Sequence, residues 1–349
     1  MSTLPTAFIA TQRSRVRLDA GTLVVEHPEH APFTLQLGHI GALVILGAVE
    51  VTIPALLALA DRGIGCALAS RSGRMRASLV APSRRHRSLR GAQQALETMR
   101  EQPGLASARI MDMARHPICA KLDALIGILT QHQRTHVDVD LTAPLIQIRS
   151  LRDHASRADS IDRLRGFEGA AMACYFSTMP ALCRTELTTS TRSRRPPQDP
   201  INAALSFGYS LLVNELTTTL YARGLDPGFG IMHPPVDGRP SLALDLVEPL
   251  RHAIVDRLVL RAANRGELQA ADFERCAQVD GSEVGTRFTD AGRGRFLKLY
   301  HDAMSAGCTN PSQPTPRSAR SLLGAIVEAY ETQLIAEETP SESTSLAGN

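Results

Sequence analysis

The chain has 349 residues, 43% of them hydrophobic, and carries 38 Lys and Arg against 35 Asp and Glu, a formal net charge of +3. Because domains typically hold about 100–200 residues, this length suggests two or three domains and excludes a chain that is disordered throughout. The charge balance is too mild to indicate a partner, so any nucleic-acid signal must lie in how the charge is distributed along the chain.

Residues 1–83 are predicted to form a small, mostly antiparallel β domain. Short runs rich in Val, Ile and Leu alternate there with Gly, Pro, His and Asp, a pattern typical of strands. The predicted strands cover residues 7–10, 16–20, 22–26, 33–37, 40–51, 63–70 and 74–79. Among them, Pro54 indicates a helix that ends before Gly63, with proline in the first turn and glycine just past the end.

Residues 84–92 are predicted to be a basic linker at the end of a longer arginine-rich stretch. No Asp or Glu occurs from residue 71 to residue 90, while arginines occur at Arg71, Arg74, Arg76, Arg84, Arg85, Arg87 and Arg90. Crowding like charges is costly unless an anion lies against them, so the stretch is a candidate phosphate-binding surface. A solvated linker is the alternative interpretation.

Residues 93–336 are predicted to form a larger all-α domain, because Leu-, Ala- and Met-rich segments recur there with helical spacing. A second basic loop, with Arg192, Arg194 and Arg195, precedes a helix that begins at Asp199 and Pro200. A loop over 308–317 leads to a last helix at about 318–336, and residues 337–349 are predicted to be a disordered tail. The fold class is therefore α+β, with the larger helical domain following the β domain.

An acidic residue lies within the apolar stripe of one predicted helix. In the helix begun by Ser160, Glu168 recurs with Leu164, Ala171 and Tyr175 at intervals of three and four residues. A carboxylate desolvated alone is expensive, so Glu168 must be neutralised, paired with an arginine or bound to a metal. Exposure at the edge of the helix is a further alternative.

A second acidic cluster follows a Pro/Gly-rich loop. Asp245 and Glu248 are three residues apart, which places both on one side of a helical turn, and His233 can fold back onto them through the loop. One imidazole and carboxylates suit Mg²⁺ or Mn²⁺, with open positions for water and a phosphate oxygen. Alternatively, Asp245 is a helix N-cap and Glu248 completes a capping box.

Several common signatures do not occur. The sequence has no GxxxxGK[ST], no GxGxxG after a strand, no GxSxG and no HExxH, so nucleotide hydrolysis, nicotinamide chemistry and serine-esterase chemistry lack their usual motifs. The six cysteines form no CxxC pair, which favours reduced thiols. With no signal-peptide pattern and an apolar stretch at 40–60 that polar residues interrupt, we expect a cytoplasmic protein without membrane association.

Four segments between about residues 160 and 260 resemble, in order, motifs of the CRISPR-associated adaptation endonucleases and integrases, the larger of the two universal adaptation proteins. The segments are GFEG at 166–169, RRPPQDPINAALSFGYSLL at 194–212, GIMH at 230–233 and SLALDLVEPLR at 241–251. The strand-rich N-terminus and helical remainder are also similar to the two-domain layout of that family.

The resemblance implies that Glu168, His233 and Glu248 are ligands of Mg²⁺ or Mn²⁺, with Asp245 as an auxiliary ligand. It implies a homodimer built through the β domains and a small companion adaptation protein. The assembly would insert short duplex DNA into a CRISPR repeat array through attack of a 3′-hydroxyl on a backbone phosphodiester, while the two arginine-rich segments hold the DNA. The alternatives are a stand-alone branched-DNA nuclease and a non-catalytic DNA-binding dimeric scaffold.

Overall fold

The computed structural model describes residues 4–81, 86–100, 105–183, 185–187, 192–193, 196–276, 285–310 and 313–335. A strand-rich N-terminal region precedes a mostly helical region, which confirms the predicted fold class. The predicted DNA contacts Arg84, Arg85, Arg194 and Arg195 lie outside the described residues, as does the predicted tail at 337–349. Within the described ranges, no helix is both long and apolar enough to cross a lipid bilayer.

The N-terminal region consists of two four-stranded sheets and one α-helix. Its elements are β1 (Thr6–Ile9), β2 (Arg15–Asp19), β3 (Thr22–His27), β4 (His30–Gln36), a 3₁₀ turn (Leu37–His39), β5 (Ala42–Leu46), β6 (Glu50–Val51), α1 (Ile53–Asp61), β7 (Gly65–Ala69) and β8 (Met75–Leu79). One sheet has the order β1-β5-β7-β8 and the other β4-β3-β2-β6. The single strand predicted at 40–51 is two strands, because Gly47 takes a φ of 86° between them.

Strand direction differs from the prediction. The β1–β5, β5–β7 and β2–β6 pairings are parallel, and the β2–β3, β3–β4 and β7–β8 pairings are antiparallel. Antiparallel pairing therefore does not dominate. For β5 and β7 the reason is that α1 carries the chain across between them, and such a crossover returns the second strand parallel to the first.

The sheet β1-β5-β7-β8 is buried on both faces. Leu43 and Ile45 belong to an apolar core that also contains residues of the second sheet and of α1, while Val44 and Leu46 belong to the core of the helical region. This division follows the strand period of two, which sends successive side chains to opposite faces. The helices and the sheet therefore share one core instead of being joined only by a linker.

The helical region has nine α-helices among the described residues: α2 (His86–Arg100), α3 (Leu105–Thr135), α4 (Thr142–Ser156), α5 (Ile161–Leu182), α6 (Pro200–Arg223), α7 (Ser241–Leu250), α8 (Arg257–Asn264), α9 (Asp290–Ser305) and α10 (Ala319–Ile335). A π-helical turn (Arg251–Asp256) joins α7 to α8, and a 3₁₀ turn covers Ala270–Asp272. The helix α3 packs against α4, α5, α7 and the π-helical turn, which makes it the central helix of this region.

The region is not all-α, because it also contains two antiparallel ribbons. They pair β9 (Phe273–Cys276) with β10 (Gly285–Phe288) and β11 (Gly307–Asn310) with β12 (Gln313–Ser318). The second ribbon replaces most of the loop predicted at 308–317. Its prolines, Pro314 and Pro316, alternate along a strand of a two-stranded ribbon, where proline is tolerated because one edge of the strand needs no hydrogen bonds.

The segment 84–92, predicted to be a linker, is largely part of a helix. Helix α2 begins at His86, so most of this segment is helical. Arginine, leucine, alanine and glutamine are good helix formers, and these residues dominate the start of α2 despite its charge. Two predicted helix starts are confirmed: the Ser160 side chain accepts a hydrogen bond from the Arg163 N–H, and Asp199 accepts one from Asn202.

The shared core provides a test of the fold. We expect Leu46→Ala to lower the free energy of unfolding by about 2–5 kcal/mol, because it leaves a cavity between the sheet and the helices. Leu68, on the adjacent strand, is 37% exposed, so Leu68→Ala should cost under about 1 kcal/mol. Urea unfolding of both variants measures the difference, and equal losses would contradict a core shared between sheet and helices.

Candidate functional site

Glu168 forms an ion pair inside the helical region. On α5, Leu164, Ala171 and Tyr175 are fully buried, and the Glu168 side chain in the same stripe is 18% exposed. Its Oε1 accepts a hydrogen bond from Nζ of Lys121, which comes from α3. Of the alternatives that the sequence left open, ion pairing is the one observed, although the cation is a lysine and not an arginine.

Lys121 also contacts the second predicted acid. Its Nζ lies 2.7 Å from Oε2 of Glu248 on α7, and the side chains of Lys121 and Glu248 are 5% and 6% exposed. Nη1 of Arg251 lies 3.2 Å from the other oxygen, Oε1. Burial by itself would raise the pKa of Glu248, but the charges of Arg251 and Lys121 outweigh it and lower this pKa to about 2. Glu248 is therefore ionised at neutral pH.

Asp245 holds His233, which confirms the prediction that the Pro/Gly-rich loop folds back and brings His233 to the acids of the following helix. Oδ2 of the buried Asp245 accepts hydrogen bonds from the backbone N–H groups of Ile231 (2.7 Å), Met232 (2.8 Å) and His233 (3.2 Å). Its Oδ1 contacts Nδ1 of His233. Because an ionised carboxylate only accepts hydrogen bonds, Nδ1 carries the hydrogen, and Nε2 is the nitrogen free to bind a metal in the neutral ring.

The capping alternative for the two acids is wrong. Helix α7 runs from Ser241 to Leu250 with Pro240 at its N-cap, so Asp245 lies in the helix interior and Glu248 in the last turn. Instead of capping its own helix, Asp245 fixes the preceding loop. This loop approaches the helix closely at Gly230, where a Cβ would lie 2.9 Å from Oδ2 of Asp245.

The four predicted site residues lie in one neighbourhood, where α3, α5, α7 and the His233 loop meet. On α5, Arg165 donates a hydrogen bond to the carbonyl of Met232, so the His233 loop is held one helical turn from Glu168. On α7, Asp245 lies one turn from Glu248. Lys121 on α3 contacts both glutamates and so connects α5 with α7.

The donor set suits a hard divalent cation, but three ligands are not assembled. Within the part of the chain that the structure describes, no group of three His, Cys, Asp or Glu side chains is close enough to hold a metal ion. Two carboxylates do converge on the single ammonium of Lys121, and Oε2 of Glu248 is buried without an aligned hydrogen-bond donor. The carboxylate pair therefore fits a cation, whereas ligation by His233 stays a prediction.

A further buried acid, Asp256, which the sequence did not indicate, supports this junction. Asp256 lies at the end of the π-helical turn, and both of its oxygens accept hydrogen bonds. Oδ1 accepts one from Tyr209 on α6. Oδ2 accepts one from Tyr175 on α5 (2.9 Å) and one from His252 (2.8 Å). Pro249 in the last turn of α7 removes one helical hydrogen bond, and the wider π-helical turn follows it. Asp256 thus ties the segment after Glu248 to α5 and α6.

Lys121 was also missed as a site residue, although the composition offers a signal for it. The only lysines among the 38 cationic residues are Lys121 and Lys298. Its partners lie 47 and 127 residues away, so no local pattern could indicate the pairing.

The predicted DNA-binding arginines differ in their ion-pair partners. Arg71, Arg74, Arg76 and Arg90 are exposed. Nη2 of Arg71 lies 2.5 Å from Oδ1 of Asp290, whereas no acidic partner for Arg74 or Arg76 occurs in the described ranges. Arg87 lies in α2. Among the described residues, Arg74 and Arg76 of the β7–β8 hairpin therefore present positive charge at the protein surface without an acidic partner.

Arg192 is turned toward the protein. Its Nη1 lies 2.7 Å from Oδ1 of Asn202, and its guanidinium lies 5.6 Å from the centroid of the Phe176 ring. It also lies 5.9 Å from the ring of Tyr209. Contact of Arg192 with DNA stays a prediction.

Fold and site together define the class: an α+β protein whose helical region brings two glutamates from different helices onto one lysine ammonium. The family model described as CRISPR associated protein Cas1 matches residues 7–302. The chain therefore belongs to the Cas1 family.

Curated relatives agree with this assignment. The chain is 33% identical over 310 residues to CRISPR-associated endonuclease Cas1 2 of Rhodospirillum rubrum, with 86% of each chain covered. It is 33% identical over 325 residues to the CRISPR-associated exonuclease Cas4/endonuclease Cas1 fusion of Geobacter sulfurreducens. That match covers 90% of the chain but spans only 56% of the fusion protein.

Solved structures show the same fold. A Cas1 protein from Thermotoga maritima has a TM-score of 0.77 at 22% identity, covering 97% of this chain and 100% of its own. A casposase bound to integration product has a TM-score of 0.76 at 19% identity, covering 97% of this chain and 92% of its own.

The Asp256 cluster leads to a pH-dependent prediction. We expect Asp256→Asn to lower the free energy of unfolding at pH 7 by about 3 kcal/mol, because it breaks a buried, hydrogen-bonded charge. Burial would raise the pKa of Asp256, but His252 and the two tyrosines together lower it. The ionised form therefore stabilises the fold above the unfolded pKa of about 3.9, and this contribution is lost as the pH falls below that value.

The measurement is urea unfolding of wild type and Asp256→Asn at several pH values. The gap between the two proteins should narrow below pH about 3.9. The exposed residue Asp302 on α9 supplies the control, since Asp302→Asn should change stability by under about 0.5 kcal/mol. A gap that stays constant down to pH 2 would show that the charge of Asp256 does not contribute.

Proposed function

We propose that the chain is a divalent-metal-dependent DNA endonuclease and integrase of CRISPR spacer acquisition. The observation that carries this proposal is the convergence of Glu168 and Glu248, from two separate helices, on one buried cationic position. Membership of the Cas1 family, whose curated relatives are named CRISPR-associated endonucleases, supports the same activity.

Glu168, Glu248 and Nε2 of His233 would hold the metal. Bound there, Mg²⁺ or Mn²⁺ would polarise a phosphoryl oxygen and lower the pKa of the attacking hydroxyl. The chain's own residues keep the ligands in place: Asp245 fixes the tautomer and direction of His233, and Arg251 holds Oε1 of Glu248. Charge neutralisation by Arg251 and Lys121 keeps Glu248 ionised, which is the state that binds a metal.

The proposed reaction is strand transfer. A DNA 3′-hydroxyl attacks a phosphodiester in line, and the new P–O bond forms as the bond to the leaving 3′-oxygen breaks. The attacking hydroxyl loses its proton to solvent, and the leaving 3′-oxygen takes up a proton from solvent. Hydrolysis follows the same course with water in place of the hydroxyl. No covalent protein intermediate is required. The exposed arginines of the β7–β8 hairpin would hold the DNA through its phosphates.

The proposed partners are duplex DNA, a second copy of the chain joined through its β domain, and a small companion adaptation protein. A chain of a solved Cas6-RT-Cas1–Cas2 complex matches 96% of this chain with a TM-score of 0.76 at 20% identity, and the match covers 36% of that chain, so the likeness concerns the fold. A cytoplasmic location is part of the same proposal.

The function is tested by joining a labelled short duplex to a supercoiled plasmid that carries a leader and one repeat. The reaction contains the companion protein and Mn²⁺ or Mg²⁺. We expect Glu168→Gln to reduce joining at least about 100-fold while DNA affinity stays within about threefold, because the variant loses a metal ligand and no phosphate contact.

Glu331 supplies the matched control. It is a similarly shielded glutamate on α10, 15% exposed, and its ion-pair partner is Arg223 at the end of α6 instead of Lys121. Glu331→Gln should retain joining within about threefold. If Glu168→Gln joins DNA as well as Glu331→Gln does, the chain is a DNA-binding scaffold. If wild type cleaves branched DNA but never joins a 3′-end, a stand-alone nuclease replaces the integrase.

The hairpin arginines provide an independent prediction. Arg74→Ala and Arg76→Ala should each weaken DNA binding irrespective of sequence and reduce the slope of log K against log salt by about 1. Arg15 is the control, because it is exposed on β2 but paired with Glu50. Fluorescence anisotropy between 50 and 200 mM salt, roughly the range over which such contacts change affinity most, measures the slopes. Slopes equal to that of Arg15→Ala would exclude the hairpin from the DNA interface.

A further inference from the structure

Lys121 occupies an unusual position for a lysine. It lies near the middle of the central helix α3, its side chain is 5% exposed, and its single ammonium contacts one carboxylate from α5 and one from α7. A buried lysine with two carboxylate partners leaves one of their two charges to be compensated by another group. Arg251 supplies that charge from the other side of Glu248.

The type of cation matters at this position. Of the 38 Lys and Arg residues only two are lysines, and one of the two lies here. An arginine presents a rigid planar fork, whereas the ammonium of lysine is a compact point charge on a flexible four-carbon stem. Among the common side chains, the lysine ammonium therefore resembles a bound metal ion most closely in shape and mobility.

The two oxygens of Glu248 are held by different groups. Oε1 faces Arg251 at 3.2 Å, while Oε2 faces Lys121 at 2.7 Å and has no aligned hydrogen-bond donor. If Lys121 moved away, Arg251 would still fix Glu248 through Oε1. Oε2 would then point, together with Glu168, at an empty cationic position.

We infer that Lys121 is a displaceable internal counter-cation, which occupies the metal position between Glu168 and Glu248 until a divalent cation replaces it. This inference rests on the proposed function, because it concerns the same two carboxylates. Metal–oxygen bonds of about 2.0–2.2 Å leave no room for an ammonium at the same point, so metal and lysine exclude each other. The exchange breaks no covalent bond: the ammonium leaves on its flexible stem with its charge.

Lys121 is thus a positioning residue that sets the metal affinity by competition. Without metal it keeps two buried like charges from repelling each other, and it holds their helices in register. With metal it must be expelled, and the work of expelling it is subtracted from the binding free energy. A merely structural ion pair would predict the opposite, since removing it would disorder the carboxylates and weaken metal binding.

The first test is a calorimetric titration of DNA-free protein with Mn²⁺. We expect Lys121→Met, which keeps a similar length without the charge, to bind Mn²⁺ at least about tenfold more tightly than wild type, equivalent to about 1.4 kcal/mol. Without metal, the same variant should unfold at a lower temperature, and Mn²⁺ should raise its midpoint more than it raises that of wild type. Lys298→Met is the control, because Lys298 is exposed on α9.

The second test uses wild-type protein, so it holds even if Lys121→Met does not fold. Because the chain has only two lysines, ¹³Cε-lysine labelling gives two NMR signals, which Lys298→Arg assigns. Addition of diamagnetic Mg²⁺ should shift the Lys121 signal toward that of a solvated lysine and leave the Lys298 signal unchanged. Glu168→Gln should abolish this response.

The outcomes separate the inference from the function on which it rests. Tighter Mn²⁺ binding by Lys121→Met and a Mg²⁺-dependent shift of Lys121 support displacement. Metal binding that Glu168→Gln abolishes, with affinity unchanged or weaker in Lys121→Met and a Lys121 signal that does not move, overturns the inference but leaves the metal site in place. Absence of metal binding in wild type and in Lys121→Met overturns both.

Discussion

Two shielded carboxylates from different helices that lie side by side and are both ionised repel each other unless a cation lies between them. In this protein the cation is the ammonium of Lys121, and its partners are Glu168 and Glu248. The constraint is strong because desolvated like charges repel each other and each loses its hydration. It relates α3, α5 and α7 to one another, and every other feature of the site lies within a helical turn or two of that contact.

Buried aspartates extend the arrangement in two directions. Asp245 collects three backbone N–H groups and the ring of His233, which gives the Pro/Gly-rich loop a defined course beside α7. Asp256 collects two tyrosine hydroxyls and His252, which ties the π-helical turn to α5 and α6. Each acid is tolerated in the interior because its oxygens accept several hydrogen bonds. The polar network thus positions the histidine and the glutamates from both sides.

The local parts of this architecture could be predicted from the sequence, since their signals lie within a few residues. Ser160 and Asp199 mark helix starts, and strand-forming runs mark seven of the eight N-terminal strands closely. The prolines at 314 and 316 led to a predicted loop where β12 lies, because a two-stranded ribbon tolerates proline. The arginines at 84–92 led to a predicted linker where α2 begins, because arginine combines high charge with good helix propensity.

The candidate site was predictable only in part, because its contacts join residues that lie far apart in the sequence. A spacing of three residues describes both a capping box and two acids on one helix face, so Asp245 and Glu248 stayed ambiguous until the start of α7 was known. Glu168 was correctly expected to need a partner, but Lys121 lies 47 residues away on another helix, and no periodicity connects the two. The parallel pairings of β5 likewise depend on a crossover, not on the composition of the strands.

The central claim is that Glu168 and Glu248 share one divalent cation. Its most direct measurement is a crystal structure of the protein soaked with Mn²⁺, with anomalous diffraction data to locate the ion. The account predicts one anomalous peak within about 2.0–2.2 Å of an oxygen from each glutamate, with the ammonium of Lys121 moved away. Mn²⁺ bound elsewhere, with Lys121 still bridging the two glutamates, would contradict it.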